Sequence, residues 1–262
     1  MTEKNLTIDN AVLRIPVPNW ESFGSVISQQ LGEVLSPHFA FRGQANSQFE
    51  LVSCFDRAFG HLTPKRKADG YKRLEQIFAK LAVRYDIDPP EDSAIVMALA
   101  QHFGLATRML DWSESRYIAA FFAFASLTSD FNSSLDAEDA DQREVSVFAI
   151  DRLSSLWGRE TVQIIDPENP GDNERIRRQR GLFTINRTEY SSIEEYVRQY
   201  IERHPDDVDT YPLYRFDLPA SCARVALRDL LEMRISHAEL FPGLEGIAKE
   251  AMLFEWLGNT PT

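Results

Sequence analysis

The run Tyr117 to Leu127, YIAAFFAFASL, is apolar around every turn of a helix. A helix carries such a sequence only where it is buried on all sides, so this segment has to lie at the centre of the fold with other elements covering each face. The residues that lead into it are of the opposite kind. ALAQHFGLATRMLDWSES places Gln101, His102, Thr107, Arg108, Asp111 and Trp112 directly before the buried helix. Polar side chains at such an entrance either satisfy the helix end or face a cleft. Asp111 or Ser113 can cap a helix that starts near Arg116, but one cap cannot use the whole group. Arg108 with Asp111 reads either as a buried structural ion pair or as part of a cleft. His102 reads as a histidine satisfied at a helix end or as a base.

Around this centre the pattern alternates between helices and strands. Asn19 precedes WESFGSVISQQL, whose Trp20, Phe23, Val26, Ile27 and Leu31 fall at helical spacing behind a capping residue. HFAFRG reads as a strand stopping at Gly43. YKRLEQIFAKLAVRY, followed by Pro89-Pro90, and SAIVMALAQHF from Ser93, closed by Gly104, read as helices. Gly104 to Trp112 is either a tight connection or a short strand. The segment from Ser129 to Glu144 is polar and acidic and reads as an exposed loop. VSVFAI, LFTI and LYRFDL, from Val145, Leu182 and Leu213, have the β-branched and aromatic content of strands. Ser191 with Glu194 looks like a capping box for IEEYVRQYI, and Ser221 to Leu257 reads as helical, interrupted at Phe241-Pro242-Gly243. No repeat or linker divides the chain, so one α+β domain is expected.

Composition narrows the partners. Forty acidic against 28 basic residues give a net charge of -12, which argues against a general nucleic-acid coat or an anionic membrane surface while leaving room for a local basic patch. Two cysteines, Cys54 and Cys222, lie far apart without metal-ligand spacing, and both are expected to be reduced core thiols; the five histidines are scattered, so no metal site is expected. MTEKNLTIDN is polar, and no apolar run reaches the roughly 18 residues of a membrane span, so a soluble cytoplasmic protein is expected.

Two arginine motifs stand out. Phe41-Arg42-Gly43-Gln44 puts a planar cation beside a glycine at a strand end, a geometry that suits either a turn or close approach to a ligand. RIRRQRGLFTI, from Arg175, packs four arginines before a strand. That is either a solvated basic face or a phosphate clamp, because guanidinium forks match phosphate oxygens.

Together these motifs resemble the FRG-domain family, named for Phe-Arg-Gly: FRGQ at Phe41 to Gln44, QHFGLATRMLDWSES at Gln101 to Ser115 with the following AAFFA, RRQRGLFT at Arg177 to Thr184 and ELFPGLEGIAK at Glu239 to Lys249. The resemblance makes residues 1–19 an N-terminal segment and residues 20–257 the domain. Met109 and Ser113 depart from the more usual Leu and Thr. The order of motifs is also similar to ADP-ribosyltransferases of the Arg-Ser-Glu type. That similarity implies a small antiparallel or mixed split sheet flanked by helices, with Arg42, Thr107 and Gln179 as catalytic residues.

Further expectations follow from the same resemblance. NAD would be the substrate, an unidentified protein or nucleic acid the acceptor, and a toxin or anti-phage effector with an antitoxin or immunity partner the biological setting. Gly43, Gln44, Gln101, His102, Arg108 and Asp111 would line the cofactor site with Arg42 and Thr107, and Trp112 or Phe121 would stack on nicotinamide. Gln179 orients ribose without the charge of a glutamate, so Glu239 or Glu245 would complete the site from the C-terminal motif. The alternatives are a non-catalytic nucleotide or nucleic-acid-binding module and an interaction scaffold whose polar cluster is structural.

Overall fold

The strands assemble into one seven-stranded sheet in the computed structural model, which describes residues 12–32, 38–85, 93–128, 143–167, 173–205 and 211–258. The strands are β1 (Leu13–Pro16), β2 (Phe39–Gln44), β3 (Met109–Ser113), β4 (Glu144–Asp151), β5 (Val162–Ile165), β6 (Gly181–Asn186) and β7 (Leu213–Pro219), in the order β1-β7-β4-β2-β3-β6-β5. Only β1 with β7 is parallel; every other pairing is antiparallel. The expected small split sheet is therefore corrected to a single continuous one. It is unevenly knit, however: β2 pairs with β4 over six residues but with β3 through Phe41 and Ser113 alone. Leu13–Pro16, from the segment read as a separate N-terminus, joins the sheet, and β5 is a strand the sequence pattern did not show.

The described helices are α1 (Trp20–Leu31), α2 (Cys54–Ala58), α3 (Pro64–Arg84), α4 (Ser93–His102), α5 (Arg116–Ala125), α6 (Glu174–Arg178), α7 (Ile193–Arg203), α8 (Ala223–Glu232), α9 (His237–Leu240) and α10 (Leu244–Leu257). The apolar run is α5, and its Phe121, Ala123 and Phe124 are wholly buried. Alternation along β4 explains why the sheet is covered twice. Val145, Val147 and Ala149 pack with α1, α5 and α8 on one face, while Phe148 and Ile150 meet Trp112, Leu182, Ile193 and Val197 on the other. A third cluster joins Phe55, Met97, Met109 and Ile185 under α2 and α4.

Caps fall close to, but not always at, the expected residues. Asn19 does cap α1, accepting from the Ser22 N–H at 3.0 Å. α5 is capped by Ser115, not by Asp111 or Ser113; Ser113 instead takes the Ser115 N–H at 3.0 Å. The capping box of α7 is shifted one residue from Ser191 and Glu194. Ser192 accepts from the Glu195 N–H, and the Glu195 carboxylate accepts from the Ser191 N–H. Glu194 is then free to turn inward, where both its oxygens lie 2.9 Å from the Leu51 nitrogen. Of the cysteines read as core thiols, Cys54 is exposed and Cys222 half-buried, both unpaired. Pro89-Pro90 and most of the acidic segment, residues 129–142, lie outside the described residues.

Candidate functional site

A cavity of about 860 Å³ sits at the weakly paired seam between β2 and β3. Helix packing fixes one wall. A Cβ on Gly43 would stand 2.0 Å from the Ala119 carbonyl oxygen and 2.6 Å from the Ala123 nitrogen, so this glycine is required by the backbone of α5 lying against β2. Neither a turn nor a ligand, the two readings open from sequence, accounts for Gly43; the close approach is made by the central helix.

Three guanidinium groups line the cavity: Arg42, Arg57 and Arg175. Arg42 reaches across the seam, its Nη1 donating to the Asp111 carbonyl at 2.6 Å, while its buried Nε has no hydrogen-bond partner. Burial pulls this guanidinium below its usual pKa, and the charge of Asp111 opposes that shift. Arg57 is turned by donating from Nη1 to the Val52 carbonyl at 2.8 Å. Arg175 on α6 lies 4.5 Å over the Phe241 ring and is also lowered by burial, against the attraction of Asp111 and Glu245.

The Asp111 carboxylate acts on two of these cations, Arg42 and Arg175, and Glu50 also borders the cavity. Asp111 is held by a directed chain: the Met109 N–H donates to Thr107 Oγ1, Thr107 Oγ1 donates to Gln101 Oε1, and Gln101 Nε2 donates to Asp111 Oδ1 at 2.8 Å. Phe49, at 55% exposed, offers an open aromatic face on the same cavity. Thus a protein with a net charge of -12 gathers three arginines around this cavity. Such a site attracts an anionic group that planar forks can grip.

Residues 37–131 match the family model of the FRG domain. The chain carries an FRG domain. The match runs from β2 through α5, so the FRG domain itself supplies Arg42, Arg57, Gln101, Asp111 and Ser113, whereas α6 with Arg175 comes from beyond it. No curated protein and no solved structure matches the chain.

Within the FRG domain, Arg42, Gly43, Gln44, Gln101 and Asp111 reach the cavity, as does Gln179 from α6's end. Several other expected residues are placed elsewhere. Thr107 is 1% exposed and belongs to the chain that holds Asp111. The hydroxyl on the strand entering α5 is Ser113, which borders the cavity and donates to the Gln179 carbonyl at 2.7 Å. Arg108 does not pair with Asp111. It makes a buried ion pair with Asp56, Nε to Oδ2 at 3.0 Å and Nη2 to Oδ1 at 3.0 Å, and donates to the Thr188 and Tyr190 carbonyls.

Trp112 borders the cavity but is 2% exposed, with its indole N–H on Thr184 Oγ1 at 2.9 Å. Phe121 is wholly buried against His237. Neither ring is free to stack on a ligand. The side chain of His102 lies outside the described residues.

The C-terminal motif acts from behind the cavity wall. Gln179 Nε2 donates to the Leu240 carbonyl at 3.2 Å, and Arg178 donates to the Glu239 carbonyl at 3.0 Å, so α9 docks on α6 through its backbone. Glu239 is itself exposed, and neither it nor Glu245 lines the cavity. The four arginines diverge rather than forming one clamp: Arg175 faces the cavity, Arg178 pairs with Glu174 and Arg180 with Glu114. Sequence reasoning missed Arg57 and Phe49, which no motif marks. Ser113 could have been found once the strand over Met109–Ser113 was placed. Among the described residues, no three His, Cys, Asp or Glu side chains gather as metal ligands do, and no helix is long and apolar enough to cross a membrane.

Proposed function

We propose that the cavity binds NAD and that the protein transfers ADP-ribose to a protein or nucleic-acid acceptor. The observation that carries this reading is the convergence of Arg42, Arg57 and Arg175 on one cavity of an acidic protein. The volume falls within the roughly 300–1,000 Å³ of small-molecule sites. Arg42, with an unpartnered Nε, and Arg175 suit a diphosphate. Phe49 takes the stacking role expected of Trp112 or Phe121. A toxin or anti-phage effector restrained by an antitoxin or immunity partner is the setting this activity fits.

Binding without turnover is the second reading, favoured by one observation: Gln179 spends its amide on Leu240, and Glu239 stands outside the cavity. Melting curves and a nicotinamide-release assay separate the two. NAD at a hundred times its Kd stabilises the folded state by about 2.7 kcal/mol, enough to raise the midpoint by several degrees. The wild type is expected to show that rise and to release nicotinamide, and Arg42→Ala to lose both. A midpoint that no nucleotide moves at millimolar concentration ends the nucleotide reading; a rise without nicotinamide release selects the binding module.

A further inference from the structure

We propose that Asp111 is the catalytic carboxylate of this site, and that Gln101 and Thr107 are positioning residues that aim it. The assignment rests on the NAD reading above and replaces Gln179, Glu239 and Glu245 as sources of the acidic group. Asp111 is fixed at two points. Its carbonyl takes Arg42 Nη1 at 2.6 Å, and its carboxylate Oδ1 takes Gln101 Nε2 at 2.8 Å.

Chemistry sets the direction of that second bond. The Thr107 hydroxyl already accepts the Met109 N–H, and it donates to Gln101 Oε1. With the amide oxygen engaged by a hydroxyl proton, its NH₂ end is the one presented to Asp111. A donor there leaves Asp111 as the acceptor, with Oδ1 occupied and Oδ2 without a hydrogen-bond partner among the described residues. Asp111 lines the same cavity as Arg42 and Arg175, and its charge opposes the burial-driven lowering of both guanidinium groups.

A carboxylate so placed matches the charge of ribosyl transfer. The bond between ribose C1′ and the nicotinamide nitrogen breaks, and nicotinamide leaves with the electron pair. The acceptor's lone pair forms the new bond to C1′, and its proton passes to Asp111. Negative charge fixed before the reaction stabilises the positive character developing on ribose, and proton removal by a positioned base adds to the rate. No oxidant or metal is needed for this balance.

The test compares NAD-dependent melting with nicotinamide release, as a function of pH, for the wild type and five variants. Asp111→Asn is expected to keep the NAD-induced rise in midpoint while nicotinamide release falls about a hundredfold or more. Gln101→Leu removes the donor to the carboxylate. It should lower kcat with little change in KM and move the acid limb of the pH profile upward. Thr107→Val should move that limb in the same direction, and Thr107→Ser, which keeps the hydroxyl, should restore it. Asp111→Asn turning over at the wild-type rate while still stabilised by NAD overturns the assignment, as does an acid limb unmoved in both Gln101→Leu and Thr107→Val. Loss of release in Glu50→Gln with Asp111→Asn active moves the role to Glu50. A wild type that NAD does not stabilise removes the NAD reading itself, and Asp111's role with it.

Discussion

Arg42 and Arg108 differ most in what surrounds them. Arg108 is 4% exposed and neutralises Asp56, which is 2% exposed and also takes the Ser53 hydroxyl at 2.7 Å. Lys67 stands 3.8 Å from the same carboxylate. Removing the guanidinium leaves that charge buried with a weaker partner, so Arg108→Ala is expected to cost about 3–5 kcal/mol in chemical denaturation. Arg42→Lys should keep the wild-type midpoint but lose the NAD-induced rise, because an ammonium cannot reproduce a fork.

Glu194 gives a pH signature of its own. Burial, with Glu50 nearby, pushes its carboxyl up to about 7, against the hydrogen bond from Leu51. A folded pKa above the unfolded one means that its contribution is fully present below about pH 4.3 and is lost as pH rises through 7. Denaturation across that window should show stability falling by an amount on the order of 1–3 kcal/mol in the wild type, with a shallower slope in Glu194→Gln. The sequence marked Glu194 as a capping residue. Ser191-Ser192-Ile193-Glu194-Glu195 permits two registers one residue apart, and the Leu51 N–H, 143 residues away, selects between them.

β2 and α5 meet backbone to backbone at Gly43. Gly43→Ala would drive a methyl into the α5 backbone, where neither atom belongs to a side chain that can swing aside. Helix and strand must separate, at a cost of about 1–3 kcal/mol or more, lowering the midpoint by several degrees. Ser115→Ala, which removes only the cap at the start of the same helix, should cost about 1 kcal/mol. The burial of α5 was legible from its uniform apolarity, as was a strand ending near Gly43. The reason for that glycine was not. An Arg-Gly pair at a strand end has the same sequence whether a ligand or a helix approaches it, and only the packing of α5 distinguishes the two.

Across the whole molecule, the sheet has a strong centre and a weak seam. β4 is paired on both sides, over six residues with β2 and seven with β7, whereas β2 and β3 share one register pair. Amides in the β2–β3 seam should therefore exchange hydrogen ahead of those in the β4–β7 ladder, and NAD should slow the seam preferentially. Uniform protection of both would show that Arg42 and α5 close the seam without a ligand.

By itself the sequence determined the main helices, most strands, the deep burial of α5 and the FRG motif, because period, capping and apolar content act over a few neighbouring residues; that Ala119 and Phe122 of α5 line the cavity it did not show. It did not determine who meets whom. Asp111, three residues from Arg108, lies in β3 and faces the cavity, while Arg108 finds its carboxylate 52 residues away in α2. Arg42 closes on the Asp111 backbone across 69 residues, and Arg175 enters from an element beyond the matched domain. Such pairings follow from strand order and from how helices cover the two faces of the sheet. They are the outcome of packing summed over the chain, and tertiary structure alone decides which cations and which carboxylate share a cavity.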